Sequence, residues 1–427
     1  MRCGHERGKP RQIMIFALSA AIAAGSASGH EAIGQATGSA GSAGQAKPAA
    51  PKATTPAKAV APAKPAATYW IYVGAESADL VHRIRFGPDG AKVEKTIVAG
   101  EMAAENEGPH GLQISPDGKY LHMTTGHGAP DGKYWKYELG PDTLVGQPIF
   151  LGNFPASIDV TPDGLYAFAV NFNLHGEMVP SSVSVVYTPT NTEVARPVTC
   201  TMPHGSRVSA DGTKQYSTCM MDDQLVELDT RTFKVSRRFS LAKGKEGAIN
   251  LTEFDAMLKE MMPDDSTGQP AHKHQMAPVT CSPTWAQPAA TGSKVYVACN
   301  KSDEILEVDG STWSVARRFA TGRAPYNLAV TPDGKLLVVS LKAGSGVQVF
   351  DLATGKSVMN EKTSITLAHG VTVSSDSRYA FVSVEGKGAQ PGKVEIFDLT
   401  SFTKAATVDV GQQASGIAFW KMEQLRK

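Results

Sequence analysis

Eleven histidines occur in the 427 residues, and nine of them lie beyond residue 30. Three share one context: Pro109-His110-Gly111, Pro203-His204-Gly205 and Ala368-His369-Gly370. Two more, His127 and His175, each follow an apolar run. A further pair sits in Ala271-His272-Lys273-His274-Gln275-Met276. In extended chain, a His-x-His step puts both imidazoles on one side, and Met276 continues that side. Neutral imidazole is the commonest side-chain metal ligand. Imidazole with thioether suits copper, and imidazole alone suits zinc, nickel or iron. The expected ligand set is therefore His110, His204 and His369, extended by His127, His175, His272, His274 and Met276, for copper before zinc. Met202, Met220 and Met221 fall near the same loops.

Other chemistries have less support. No GxSxG elbow and no Gly-rich phosphate loop is present. Cys200, Cys219, Cys281 and Cys299 stand in no CxxC or CxxCH pattern, so covalent haem is not indicated. In an oxidising compartment these four can form disulfides, with the pairing open. Lys plus Arg is 42 against 41 for Asp plus Glu, which gives no electrostatic reason for nucleic acid as a partner.

The elements that must position these groups show as a repeat. Its core is an apolar strand, an Asp turn and a second apolar strand. The turn aspartates Asp117, Asp163 and Asp211 are spaced by 46 and 48 residues, and Asp333 and Asp376 by 43. A divergent unit runs from Val279 to Asn300. A second turn recurs at Asp229, Asp309, Asp351 and Asp398. Pro-Asp-Gly between alternating strands is a hairpin signal. Four strands in roughly 45 residues is the size of a propeller blade. Six units are complete. Tyr69–Glu76 and Leu80–Phe86 at the start, with Ser415–Trp420 at the end, supply a seventh. Closing the ring this way removes exposed sheet edges. The predicted fold is all-β: a seven-bladed β-propeller with four-stranded blades.

These hairpins resemble YVTN-family β-propeller repeats, with Tyr296-Val297-Ala298-Cys299-Asn300 closest to the naming motif. The resemblance covers nearly all of residues 69 to 420. It implies the architecture and an extracytoplasmic location, and it leaves the activity open. The histidine arrangement is similar in outline to nitrous oxide reductases, whose propeller carries copper on hub histidines. It departs from them in having no adjacent His-His pair and no paired-cysteine copper motif.

In a propeller the Asp-Gly turns fall on the bottom face, and the entries to the inner strands fall on the top. Seven of the nine histidines map to the top, and only His82 and His122 sit within strands. Asn250-Leu251-Thr252-Glu253 reads as a capping box opening a short helix. Its insertion, about 243–278, is expected over the top face. The expected domains are a leader (1–29), an Ala/Pro/Lys-rich disordered linker (30–67) and the propeller (68–427). The leader has a basic start, an apolar run from Ile13 to Ala24, then small residues. Twelve apolar residues fall short of the ~20 that span a bilayer.

The reading is an exported, monomeric, periplasmic or extracellular propeller that binds a transition metal or small ligand at its hub. Two alternatives stand beside it. One is a non-catalytic scaffold for an envelope protein or glycan. The other is a metal-assisted, lactonase-like hydrolase using Asn171, Asn173, Glu177 and Glu385.

Overall fold

The computed structural model describes residues 64–102, 104–127, 132–174, 176–261 and 278–425. The leader and nearly all of the linker lie outside the described residues, as do His175, His272, His274 and Met276.

Seven antiparallel sheets form seven blades. Blade 1 opens with Pro109–Ile114 as its inner strand, blade 2 with Pro155–Val160 and blade 3 with Pro203–Val208. Blades 4, 5 and 6 open with Pro283–Pro288, Pro325–Val330 and Ala368–Val373. Blade 7 is assembled from both ends of the described chain. Its inner strand Ala414–Gln424 pairs with Ala67–Ala75, and Leu80–Gly87 and Gly90–Val98 complete it. Tyr72 lies opposite Ala418, and Val73 opposite Ile417. Each inner strand touches the inner strands of both neighbouring blades, so the ring is closed.

The outer edges are less regular than the repeat predicts. In blades 1 and 2 the fourth strand is broken into two short pieces on the same partner. In blade 3 an extra strand, Gly247–Ile249, pairs outside Lys234–Ser240. The helix α1 (Leu251–Met261) follows it. The Asn250 carboxamide accepts the Thr252 N–H at 3.0 Å, as its capping sequence requires. The Arg238 guanidinium of that outer strand lies 3.8 Å over the Phe254 ring. This contact seats the helix on the outer part of blade 3.

Turn chemistry sets the bottom face. Asp117 accepts hydrogen bonds from the Ser115 hydroxyl and the Lys119 N–H. Asp163, Asp211, Asp333 and Asp376 repeat this pattern. Each aspartate is thus held by its own turn.

The core lies between blades. Tyr69, Phe86, Tyr379 and Phe381 pack together where blade 7 meets blade 6. The Trp420 indole N–H donates to the Gly118 carbonyl across the junction with blade 1. Two disulfides add covalent ties. Cys200–Cys219 joins blade 2 to blade 3, and Cys281–Cys299 closes the start of blade 4. His82 and His122 are core residues: His82 contacts Thr96, and His122 contacts the Tyr134 hydroxyl at 2.7 Å.

Two tests follow from this architecture. Deleting 412–427 removes the inner strand of blade 7 and bares edges on the ring. The expected result in thermal melting and size-exclusion chromatography is aggregation or a lost cooperative transition. An unchanged melt would count against terminal closure. The second concerns acid. Burial pushes the His122 pKa down to about 3, whereas the unfolded chain takes up this proton near pH 6.5. The unfolded state therefore binds more protons as pH falls below about 6.5, and the folded state loses up to ~1.4 kcal/mol per pH unit until the folded pKa is reached. Urea unfolding between pH 7 and 4 should show this slope, and His122→Gln should reduce it. An identical slope in the variant would refute the assignment.

Candidate metal centre at the hub

The site is built from two positions of the repeat. The first is the second residue of each inner strand. Around the ring these residues are His110, Ala156, His204, Thr284, Tyr326, His369 and Ser415. The second position directly follows the second strand of each blade. It carries Glu76, Gly126, Phe172, Met220, Asn300, Lys342 and Glu385.

One backbone contact recurs in all seven blades and ties the positions together. The residue two places before each first-position residue has positive φ: 63° at Gly108, 49° at Phe154, 51° at Met202, 47° at Ser282, 55° at Ala324, 70° at Leu367 and 55° at Gln413. The carbonyl of each accepts the N–H of the second-position residue in its own blade, at 2.8–3.3 Å. Two layers result. His110 and His369 in the first layer keep 7% and 3% of their side chains exposed. Lys342 in the second, and His127 beside it, keep 29% and 28%. Exposure within the second layer is uneven, since Glu76 keeps only 3% of its side chain exposed.

The structure brings His110, His204 and His369 together. The His110 ring centroid is 6.4 Å from His204 and 5.5 Å from His369, both edge to face. Tyr326 lies against the other two rings, 5.3 Å from His204 and 4.6 Å from His369. Each blade orients the side chain of the one before it. His110 Nδ1 donates to the Ala156 carbonyl at 2.6 Å, and His204 Nδ1 to the Thr284 carbonyl at 2.8 Å. His369 Nδ1 lies near the Ser415 carbonyl but outside hydrogen-bonding geometry. A carbonyl can only accept, so the Nδ1 atoms of His110 and His204 carry hydrogen. In the neutral imidazole the Nε2 lone pair is then available.

Carboxylates stand near two of the three rings, His110 and His369. Glu76 Oε2 is 3.7 Å from His110 Nε2, and its other oxygen is 2.8 Å from His127 Nε2. Burial opposes ionisation of Glu76, but His110 and His127 outweigh it and hold the carboxyl below its usual range. Glu385 is 3.6 Å from His369 Nε2 and 2.8 Å from the Lys342 ammonium. Burial pushes the His204 pKa down to about 3 and His369 well below the usual value, so both are neutral at pH 7. Two carboxylates and one ammonium thus stand around the three imidazoles.

The opposite wall is apolar. Phe154 packs on His110 and Phe172 on His204, with Met202 and Met220 against both phenylalanines. Below the ring, Arg207 lies 4.9 Å over the Trp285 ring. The channel there narrows to a cavity of about 20 Å³.

Among the described residues, no group of three or more His, Cys, Asp or Glu side chains already stands at metal-ligand distances. Convergence on one ion therefore requires small ring rotations. Of the other expected residues, Asn171 is buried in its strand and bonds Gly152, Ser182 and Ser184. Asn173 holds the Glu177 carbonyl in the next loop, and Glu177 is exposed. Only Glu385 of the hydrolase set reaches the hub. Glu76, Tyr326 and Lys342 were not singled out in the sequence. Aligning Pro325-Tyr326-Asn327 with the three His steps, by position rather than residue type, finds Tyr326.

The glycines that follow first-position residues (Gly111, Gly205, Gly370 and, after Ser415, Gly416) have a steric reason. A Cβ at Gly416 would meet the His110 carbonyl oxygen at 2.0 Å, and one at Gly205 would meet the Thr284 carbonyl at 2.5 Å. Gly416→Ala should therefore destabilise the fold by about 1–3 kcal/mol, the usual cost of overpacking. Chemical denaturation would measure it, and a change under ~0.5 kcal/mol would contradict the close approach.

No protein-family model matches the chain, and no curated protein matches it. The resemblance to YVTN repeats thus rests on the repeat motifs themselves. Many solved structures share the architecture. One is hydrazine synthase of Kuenenia stuttgartiensis, at 16% identity and a TM-score of 0.55, covering 75% of this chain and 93% of that chain. At this identity the likeness establishes the β-propeller fold.

Proposed function

We propose that this chain is an exported propeller that holds one transition-metal ion on His110, His204 and His369 and presents it to a small ligand. One observation carries the reading. The Nδ1 atoms of His110 and His204 are spent on carbonyls of the next blade, which turns their Nε2 atoms into the hub, His110 toward Glu76 and His204 toward the Tyr326 hydroxyl. His110 Nε2 faces the Glu76 carboxylate, which would pair with any cation held on that nitrogen. Copper is expected before zinc, because nitrogen sites bind Cu²⁺ more tightly. Export rests on the leader sequence, and the two disulfides fit an oxidising compartment.

The test is elemental analysis of the purified chain with Cu(II) and Zn(II) titrations followed by melting temperature. About one ion per chain is expected, with a stabilisation of ~2.7 kcal/mol once free metal reaches a hundred times Kd. His110→Ala and His369→Ala should each weaken binding at least about tenfold, as loss of a ligand does. No bound metal and no melting shift with either ion would sink the reading, and a non-catalytic binding scaffold would then stand in its place.

A further inference from the structure

We propose that Tyr326 is the fourth protein ligand of this hub site, supplying a phenolate oxygen beside the three imidazoles. The inference rests on the metal reading above and adds a donor of a different chemical kind.

Position in the repeat is the first argument. Tyr326 is the second residue of the blade 5 inner strand, as His110, His204 and His369 are in theirs. The strand register agrees: Pro325 lies opposite Leu341, as Pro109 lies opposite Thr125, Pro203 opposite Cys219 and Ala368 opposite Val384. Tyr326 is therefore presented to the axis by the same backbone geometry as the histidines. Its ring is 7% exposed and lies between His204 and His369.

Distance is the second. The Tyr326 hydroxyl is 2.8 Å from His204 Nε2. Two donors bound at about 2.0–2.1 Å to one ion, at right angles or wider, stand about 2.8 Å or more apart. The O···N edge of such a coordination polyhedron is already present, bridged by the phenol proton. On binding, the O–H bond is exchanged for an O–metal bond and the proton leaves to solvent. The His204 lone pair that accepted this proton is freed for the same ion.

Charge is the third. The Lys342 ammonium lies 4.2 Å from the Tyr326 ring centroid and is itself paired with Glu385. Burial raises the pKa of the Tyr326 phenol, and the nearby Lys342 ammonium opposes that rise. A phenolate would also reduce the net charge of a divalent ion held among the three imidazoles.

The experiment uses the full chain loaded with Cu(II). A phenolate bound to Cu(II) gives a visible ligand-to-metal charge-transfer band, which imidazoles alone do not. The wild-type protein should show this band, with tyrosinate ring modes enhanced in resonance Raman excited within it. Tyr326→Phe should keep bound Cu(II) and lose the band, with affinity reduced about tenfold or more. The Raman measurement needs no variant, so the test stands even if Tyr326→Phe folds poorly. Cu(II) bound with no such band, or a band that persists in Tyr326→Phe, would overturn the tyrosine ligand and leave the histidine site intact. No Cu(II) bound to the wild type would overturn the tyrosine ligand, and the metal reading falls with it if Zn(II) does not bind either.

Discussion

The hub depends on one repeated backbone contact. In every blade, a residue with positive φ gives its carbonyl to the N–H that follows the second strand. Six of the seven residues are not glycine, although the left-handed region costs an ordinary residue about 1–2 kcal/mol. Six unfavourable conformations persist because ring closure leaves the chain no other route. Each inner strand must enter beside the previous one and stay within reach of its own second strand. The contact fixes the height of the second layer over the first, and so sets Glu76 behind His110 and Glu385 behind His369. The one glycine in the series, Gly108, has its own reason: a Cβ there would meet the His127 ring at 2.5 Å.

Much of the fold was legible because turn chemistry punctuates it. Asp117, Asp163, Asp211, Asp333 and Asp376 mark hairpins whose geometry needs those residues, and the strands between them alternate. The terminal strand pair was legible as a missing piece. The broken outer strands of blades 1 and 2 were not, because outer edges carry little apolar pattern and pair on one side only. The site was legible in part. His110, His204 and His369 share a phase, and phase determines direction in a ring. Tyr326 shares it too, but a search for imidazoles passes over a phenol. Glu76 was hidden more deeply. It belongs to blade 7, whose inner strand lies over three hundred residues later, so no local motif marks it as a hub residue. Lys342 was hidden by type, since a lysine after a strand reads as solvated surface until its partners are known.

The two layers also divide the hub sideways. Blades 2 and 3 contribute Phe154, Phe172, Met202 and Met220, while blades 5 to 7 contribute Lys342, Glu385 and Glu76. The histidines sit on the seam, with His110 and His204 packed on the phenylalanines and His369 on the charged side. An ion held there has an apolar wall on one flank and ionised groups on the other. Apolar packing at His110 and His204 excludes water and holds the rings near one orientation, which strengthens every electrostatic term at the ion. The charged flank does the opposite work. Glu385 pairs with Lys342, and Glu76 stands against His127 and His110. On the proposed metal reading, a ligand at the ion would meet both surfaces, phenyl and thioether groups on one flank and a carboxylate and an ammonium on the other.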